Sequence, residues 1–390
     1  MGTIRMEAVT TSFFGYGAIS SLAEELIKHE AKRALIVTDK FLYESGVAEK
    51  VGQVLLKANV EYAIYYLVQA NPTVDVVNEC IYAARELEVD WLVAVGGGSS
   101  IDTAKAASIV LANGGKVEDY EGLNRSKHAG IPIAAVNTTA GTGSEVTTFY
   151  IVTDAKKHSK MCMVDRNCKV TIAINDTQFM LGMPKGLTAA TGMDAMTHAI
   201  EAVLSNKANP LTDKDALWAI RVINQYLPRA VNDGNDLEAR DQMAYAEYVA
   251  GMAFSNAGLG MVHAMAHSLG GMYNLPHGIC NAVLLPYVMQ FNGADVKTGN
   301  DFKKIAIALQ ISNAERLSEA EAMAESIGAI IGLSREVGIK QNLSELSVNP
   351  KDFETLSMLA CKDACMQDNP IVPCKEDVVM VYEKAYQGVF

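Results

Sequence analysis

Five side chains in the second half of this 390-residue chain have the chemical types and spacing of metal ligands. Asp194 and His198 are four residues apart, as are His263 and His267, and His277 follows further along the chain. Four residues make about one helical turn, so each pair shares one face of a predicted helix. One carboxylate with several imidazoles and no thiolate suits Fe²⁺, Zn²⁺ or another first-row divalent metal. A lone buried histidine is usually a hydrogen-bonded core residue, but five such groups together predict a metal centre.

Two loops in the first half are rich in glycine and hydroxyl groups. GGGSS at 96–100 and NTTAGTGSE at 137–145 each follow a short apolar run. Glycine lets the backbone approach a ligand closely, and a helix capped by Ser99 or Ser100 would offer its first N–H groups to an anion. Neither loop matches the GxGxxG or GxxxxGK[ST] fingerprint, and a glycine triplet alone is more often a tight turn. The two loops together predict a dinucleotide groove.

Two further positions are expected at the same edge. Asp39 ends the apolar run RALIVTD, and Asn71 opens a short loop after YAIYYLV. A carboxylate at a strand end can accept a hydrogen bond from a ribose 2′-OH and repel a 2′-phosphate, which favours NAD over NADP. The alternative for Asp39 is a turn or helix cap.

The elements that must position these groups change in type near residue 185. In the first half, short apolar runs alternate with helical patterns. We predict strands at Arg33–Asp39, Tyr62–Val68, Trp91–Val95, Ile131–Val136, Tyr150–Thr153, Lys160–Val164 and Val170–Ile174, and helices at Glu44–Ala58 and Val74–Leu87. Such alternation indicates a parallel sheet covered by helices on both faces.

After Lys185 the strand patterns largely disappear. Helices are predicted at Leu187–Leu204, Thr212–Tyr226, Glu238–Phe254, Met261–Met272, Ser318–Glu336 and Asp352–Cys365. The predicted organisation is an α/β dinucleotide-binding domain over residues 1–185 and an all-helical metal-binding and catalytic domain over residues 186–390.

The composition argues against several classes of protein. The net charge is −12 with no basic cluster, so nucleic acid is not an expected partner. No apolar run reaches the ~18–20 residues that span a bilayer, and the first residues lack a signal-peptide pattern. Seven scattered cysteines argue against a disulfide framework, so we expect a cytoplasmic protein. Cys361 and Cys365 are interpreted as an ordinary helical i,i+4 pair and not as a metal or redox site.

Four longer motifs contain these residues. They are GGGSSIDTAK at Gly96–Lys105, TTAGTGSE at Thr138–Glu145, GMDAMTHAIE at Gly192–Glu201 and GLGMVHAMAHSLGGMYNLPHG at Gly258–Gly278. Through them the chain resembles, over essentially its whole length, the iron-containing (group III) alcohol dehydrogenase family. That group includes lactaldehyde/1,2-propanediol oxidoreductases, 1,3-propanediol dehydrogenases and NAD-dependent methanol dehydrogenases. The resemblance implies the dehydroquinate synthase-like fold, with the active site in a cleft between an α/β domain and a helical domain.

The resemblance also implies a role for each candidate residue. The metal ligands would be Asp194, His198, His263 and His277, with His267 as an additional active-site histidine near the substrate. The implied cofactor-binding residues are Asp39, Asn71, Gly96, Gly97, Gly98, Ser99, Ser100, Asp102, Thr138, Thr139, Thr142, Ser144 and Lys160. One departure from the family pattern is Asn369-Pro370-Ile371, where many relatives have an arginine after the proline.

The implied activity is reversible hydride transfer between NAD(H) and a short primary alcohol or diol, or its aldehyde. The implied metal is Fe²⁺, with Zn²⁺ as the alternative, and the implied assembly is a homodimer or larger homo-oligomer. Small primary alcohols, 1,2-propanediol and 1,3-propanediol stay open as substrates. Competing interpretations are a glycerol dehydrogenase-like enzyme, a dehydroquinate synthase-like lyase, a metal-dependent hydrolase and a non-catalytic NAD sensor.

Overall fold

A computed structural model describes residues 4–7, 11–157, 159–295 and 298–390 of the chain. The contacts between residues divide it into two compact units. One is Ala8–Leu181, and the other joins Met1–Glu7 to Gly182–Phe390. Within the described ranges, no helix combines the length and apolar character that crossing a bilayer requires.

The described residues of the Ala8–Leu181 unit form nine strands in two sheets. They are β1 (Thr11–Phe14), β2 (Arg33–Asp39), β3 (Glu61–Val68), β4 (Trp91–Gly96), β5 (Gly122–Leu123), β6 (Ile133–Asn137), β7 (Phe149–Asp154), β8 (Ser159–Val164) and β9 (Ile172–Asn175). Six form a parallel sheet in the order β1-β9-β6-β4-β2-β3. The other three form a small sheet in which β7 and β8 are an antiparallel hairpin.

Where the structure describes this unit, it also has five α-helices. They are α1 (Ser20–Lys28), α2 (Lys40–Glu44), α3 (Val47–Lys57), α4 (Val74–Glu86) and α5 (Gly98–Asn113). Alternate side chains of β2 pack on opposite faces of the sheet, because successive strand residues point to opposite sides. Leu35 and Val37 share a buried cluster with Ile101 of α5, whereas Ile36 shares one with Leu55 of α3. The sheet is therefore covered on both faces, as predicted.

The strand order reverses beside β2. The next strand in the chain, β3, pairs with one edge of β2, and β4 pairs with the other. In open parallel sheets, ligands bind outside the carboxyl ends of the strands at such a switch point. The carboxyl ends of β2 and β4 carry Asp39 and the glycine turn that begins at Gly96.

The described residues of the second unit contain helices and loops and no strand. Its helices are α6 (Lys185–Leu204), α7 (Pro210–Asn232), α8 (Leu237–Ala257), α9 (Met261–Tyr273), α10 (His277–Asn292), α11 (Gly299–Ala308), α12 (Glu319–Glu336), α13 (Phe353–Ala360) and α14 (Lys375–Gln387). Most residues of α6, α9 and α10 are buried, whichever face of the helix they occupy. These three are therefore interior helices.

The predicted fold class is confirmed, but two predicted helices have different bounds and several elements were not predicted. The helix expected at Glu44–Ala58 is α3 over most of its length, but Glu44 is the last residue of α2, because Gly46 adopts a left-handed conformation between the two helices. The helix expected to reach Cys365 ends at Ala360, so Cys361 and Cys365 are not a helical pair, and both are free thiols. The sequence analysis predicts no element for β1, α1, α10, α11 or α14.

Candidate functional site

Three helices of the second unit hold the five candidate metal-binding residues. α6 carries Asp194 and His198 one turn apart, α9 carries His263 and His267, and His277 is the first residue of α10. The side chain of His277 is 26% exposed, whereas the other four are almost fully buried. Four polar side chains at this depth need partners, because burying an unpaired polar group is costly.

Asp194 Oδ1 is the common neighbour of three imidazole nitrogens. Its distances to the Nε2 atoms are 3.9 Å for His198, 3.8 Å for His263 and 3.7 Å for His277. These distances are too long for hydrogen bonds. Two ligand atoms at about 2.1 Å from one ion, in a tetrahedral arrangement, lie about 3.4 Å apart. The three oxygen–nitrogen distances are close to this value. Asp194, His263 and His277 place their ligand atoms within 4.8 Å of one another, so this group fits a divalent metal, and His198 Nε2 offers a further donor 3.9 Å from Asp194 Oδ1.

The close approach of α10 to α6 depends on Gly278. A Cβ atom at this position would overlap the carbonyl oxygen of Ala190 and lie 3.3 Å from Cβ of Asp194. Any larger residue would push His277, its neighbour in the chain, away from Asp194. The glycine after His277 is therefore required by the packing of the site.

A buried carboxylate, Glu201, orients one of the imidazoles. Its Oε2 atom lies 2.5 Å from Nδ1 of His263, and its Oε1 atom accepts the backbone N–H of Val262 at 2.7 Å. Burial raises the pKa of Glu201 to about 7 and holds the pKa of His263 well below its usual range. His263 is therefore a neutral imidazole that donates from Nδ1 and presents its Nε2 lone pair to Asp194, which is the form that binds metals.

The start of α9 is held by residues that are distant in sequence. Its N-cap is Gly260, which has no side chain, and Asn369 Oδ1 accepts the N–H of Met261 at 3.1 Å. Asn369 and Asn292 exchange hydrogen bonds of 3.1 and 2.8 Å. Asn369 Nδ2 also donates to the backbone carbonyl of Ile371. Because that contact uses only the backbone of Ile371, the departure from the family pattern at this position leaves it intact.

His267 has a different partner from the other histidines. Its Nδ1 atom lies 2.8 Å from Oδ2 of Asp363, whose Oδ1 accepts the N–H of Cys365. Burial alone would raise the pKa of Asp363, but the charge and hydrogen bond of His267, with the N–H of Cys365, hold it below the usual range. The His267 ring stacks on His277 at a centroid distance of 5.2 Å. His267 therefore lies beside the metal-binding histidines, but its own hydrogen-bond partner is Asp363.

Three residues of this centre are not predicted by the sequence analysis. Glu201 lies three residues after His198, and Asn281 lies four residues after His277 with its amide nitrogen within hydrogen-bond distance of three ligand atoms. Helical spacing from a predicted ligand is a signal that could have identified both. Asp363 is 96 residues from His267, so no local pattern connects them.

In the Ala8–Leu181 unit, the two hydroxyl- and glycine-rich loops lie side by side. Gly96 at the end of β4 is paired with Asn137 at the end of β6, and the N–H of Thr138 donates to the Gly96 carbonyl at 3.2 Å. Since β2 is the other neighbour of β4, Asp39 lies at the same edge. The predicted nucleotide-binding residues of these three strands are therefore brought together.

The helix after the glycine turn begins differently from the prediction. α5 starts at Gly98 and its N-cap is Gly97, which has no side chain. Ser99 and Ser100 lie inside the first turn, so the predicted serine cap is wrong. The first turn of α5 has no side-chain cap, a feature that suits an anion site at a helix start.

The glycine turn packs directly against the threonine loop. A Cβ atom on Gly97 would lie 2.8 Å from Oγ1 of Thr139, and one on Gly98 would lie 2.9 Å from Cγ2 of Thr142. Real Cβ atoms do not approach neighbours this closely. Glycine at both positions therefore lets the two loops form one continuous surface.

A buried lysine ties α5 to the threonine loop and β7. Lys105 Nζ donates to the backbone carbonyls of Ser144, Thr147 and Phe149 at 2.5, 2.9 and 2.8 Å. Asp102, one turn earlier on α5, accepts the Ser144 hydroxyl at 2.6 Å. Burial lowers the pKa of Lys105 and raises that of Asp102. Asp102 and Ser144, both predicted to bind the cofactor, thus bond to each other and shape the loop.

The other predicted cofactor residues have identifiable local roles. Asp39 is the N-cap of α2, and its Oδ1 atom accepts the N–H of Leu42 at 2.9 Å. Asn71 has a positive φ of 55° in the turn before α4, a conformation that asparagine tolerates. Lys160 lies on β8 opposite Thr153. The cap interpretation of Asp39 is confirmed, and cofactor binding by these residues stays a prediction.

The fold and the two candidate sites point to a metal-dependent oxidoreductase. Two family models match the chain, one described as iron-containing alcohol dehydrogenase over residues 10–177 and one as the C-terminal part of the Fe-containing alcohol dehydrogenase family over residues 188–386. The chain belongs to the iron-containing alcohol dehydrogenase family. The predicted resemblance and the predicted enzyme class, an alcohol oxidoreductase, are confirmed.

Individual relatives are similar over nearly the whole chain. Alcohol dehydrogenase 4 of Saccharomyces cerevisiae is 45% identical over 376 residues, covering 96% of this chain and 97% of its own. The NAD-dependent methanol dehydrogenase of Bacillus methanolicus is 43% identical over 374 residues, covering 96% and 97%. A crystal structure of 1,3-propanediol oxidoreductase has a TM-score of 0.95 at 40% identity, covering 99% of this chain and 100% of its own. At the level of the family, these matches imply metal and dinucleotide dependence and a small alcohol or aldehyde substrate.

Proposed function

We propose that this protein catalyses reversible hydride transfer between NAD(H) and a short primary alcohol or diol, or the corresponding aldehyde. The observation that carries the proposal is the convergence of three Nε2 atoms on Asp194 Oδ1 at 3.7–3.9 Å. A buried carboxylate with three imidazole nitrogens this close to one oxygen, each beyond hydrogen-bond distance of it, is the kind of donor cluster that holds a divalent cation.

We assign Asp194, His198, His263 and His277 as the metal ligands and Fe²⁺ as the metal, with Zn²⁺ as the alternative. The absence of thiolate from this ligand set suits either ion. When bound, the metal supplies a Lewis acid that polarises the oxygen of the substrate. Glu201 keeps His263 in the required tautomer and orientation.

We assign NAD to the carboxyl ends of β2, β4 and β6. The uncapped start of α5 and the adjoining hydroxyl groups of Thr138 and Thr139 suit a pyrophosphate in a protein with no basic cluster. The cofactor supplies the hydride chemistry. Asp39 selects against the 2′-phosphate of NADP, using the carboxylate oxygen that does not cap α2.

His267 is assigned to transfer of the alcohol proton. Imidazole can exchange protons near neutral pH, and the Asp363 carboxylate holds Nδ1, which leaves Nε2 to face substrate or solvent. The same arrangement of a carboxylate orienting a histidine is a general device of acid–base catalysis.

The substrate class rests on the relatives named above, which act on methanol and 1,3-propanediol by their names. We also propose a homodimer or larger homo-oligomer, and a reducing compartment such as the cytoplasm, which agrees with the seven free cysteines.

The test is NAD reduction by purified protein across a panel of methanol, ethanol, propanol, 1,2-propanediol and 1,3-propanediol, with the metal content measured on the same sample. We expect net NADH formation and about one divalent metal per chain. A lyase of the same fold would give no net NADH, and full turnover by demonstrably metal-free protein would contradict the proposal.

A further inference from the structure

Asn281 is a fully buried amide at the centre of the candidate metal site. It lies on α10, one turn after His277. Its Nδ2 atom is 2.6 Å from Asp194 Oδ1 and 3.1 Å from the Nε2 atoms of both His263 and His277. Its other end, Oδ1, is buried with no hydrogen-bond partner among the described residues.

All three atoms that Nδ2 faces are lone-pair acceptors, and they are the atoms assigned above to the metal. The amide and a cation therefore compete for the same lone pairs. An N–H group carries partial positive charge, so it cannot keep this position beside a divalent ion, whereas a carbonyl oxygen can.

We infer that the side-chain amide of Asn281 turns over when a metal binds, so that Oδ1 replaces Nδ2 beside the ligand atoms. In the metal-free protein its two N–H groups are shared among Asp194 Oδ1 and the Nε2 atoms of His263 and His277, and hold these three side chains together. In the loaded protein the amide turns, so that Oδ1 faces the ion and the N–H groups leave it. Asn281 is thus a positioning residue that holds the ligands in place before a metal binds and adds an oxygen toward the bound metal. This inference rests on the proposed metal centre.

If Asn281 holds the ligands together before a metal binds, its replacement should lower the stability of the metal-free protein. Replacing Asn281 with leucine keeps the approximate volume and removes both donors. Asp194 Oδ1 and the Nε2 atoms of His263 and His277 would then lose the donor that Asn281 gives them, which is costly at a site so little exposed. The Tm of metal-free N281L should fall clearly below that of metal-free wild type.

If Oδ1 of Asn281 faces the bound metal, a change of charge at this position should change the metal affinity. Asn281→Asp has nearly the same shape but places two oxygens at the position assigned to Oδ1. The added carboxylate should tighten metal binding by about tenfold or more, the scale of effects from groups around a metal site. In the metal-free protein the same carboxylate repels Asp194, so the Tm of that form should fall.

The experiment measures two quantities for each protein: the Kd for Co²⁺ by chelator competition, and the Tm of the metal-free form. Asn224→Leu and Asn224→Asp are matched controls. Asn224 is a partly buried amide on α7 that donates to the Leu309 carbonyl at 3.1 Å, outside the metal centre. We expect both N281 variants to lower the metal-free Tm more than their controls do, and only N281D to tighten Co²⁺ binding.

Unchanged metal-free Tm in N281L relative to N224L, or unchanged or weaker Co²⁺ binding in N281D, would overturn the role of Asn281. Failure of the wild type to bind Co²⁺ in a one-to-one ratio would instead overturn the proposed metal centre. The wild-type titration therefore separates the two failures.

Discussion

The Nδ1 atom of His263 lies 2.5 Å from Oε2 of Glu201, and the second oxygen of the same carboxylate accepts the N–H of Val262. One side chain of α6 thus orients an imidazole of α9 and also caps the start of that helix. Asp194, two turns earlier on α6, faces the opposite nitrogen of the same ring at 3.8 Å. The helix α6 therefore holds His263 from both sides, so the position of this ring is set by a single rigid element.

This relationship predicts that Glu201→Gln weakens metal binding while the fold survives. Glutamine has the same length, but only one of its two ends can accept a hydrogen bond, so either His263 or Val262 loses its partner. The metal Kd should rise about 10- to 100-fold. Chelator competition measures it. Glu238→Gln is the control, because Glu238 lies at the surface in an ion pair with Arg229. Equal affinities in wild type and E201Q would show that Glu201 does not support the site.

Cofactor choice should depend on the charge of Asp39 and not on its capping role. Asp39→Asn keeps an oxygen for the N–H of Leu42, whereas Asp39→Gly removes the cap as well. Both substitutions should raise the kcat/KM for NADP relative to that for NAD, by about 1–3 kcal/mol or roughly 5- to 150-fold. Steady-state kinetics with both cofactors give the ratio. If the ratio stays constant in both variants, Asp39 is only a helix cap.

Lys105→Met should destabilise the α/β unit. Methionine fills a similar volume but leaves the carbonyls of Ser144, Thr147 and Phe149 without their shared donor and Asp102 without its nearby cation. Breaking a buried charged arrangement costs about 3–5 kcal/mol, so the free energy of unfolding should fall by that order in denaturant titrations. The KM for NAD should rise because the threonine loop loses its support, and the metal content should not change.

The exposed lysine Lys50 gives the matched control for this substitution. Lys50→Met should leave both the unfolding transition and the KM for NAD as in the wild type. Wild-type stability in K105M would mean that the loop is held by other contacts.

Five of the six strands of the parallel sheet, all except β1, were predictable because each is a short continuous apolar run, which is typical of a strand buried on both faces. Helix α10 was not predictable in the same way. It is buried on nearly all sides and contains Pro286, so it has neither an amphipathic period nor an uninterrupted helical composition. Strand β1 has only four residues, from Thr11 to Phe14, too few for a periodic signal.

The residues of the candidate site also differ in whether a local sequence pattern identifies them. Asp194 with His198, and His263 with His267, were identifiable because helical spacing brings each pair together locally. The spacing alone gave no reason to separate His263 from His267, since both lie on one face of α9. The partner that distinguishes them, Asp363, reaches His267 only through tertiary structure.

His263 and His267 should respond differently to substitution, because only His263 is assigned as a metal ligand. His263→Ala should lose the metal, because Nε2 of His263 is one of the atoms that converge on Asp194, whereas dinucleotide binding by the α/β unit should persist. His267→Ala should keep the metal and lower kcat/KM or change its pH dependence, because the Asp363–His267 pair would no longer transfer the alcohol proton. The decisive measurements are metal content per chain by elemental analysis and pH–rate profiles for both variants. An asparagine at position 267, which can still hydrogen-bond to Asp363 but cannot transfer a proton, should behave like alanine in the pH profile if the role is chemical. Recovery of wild-type kinetics in H267N would make His267 a packing residue, and metal loss in H267A with retention in H263A would reverse the assignment of the two histidines.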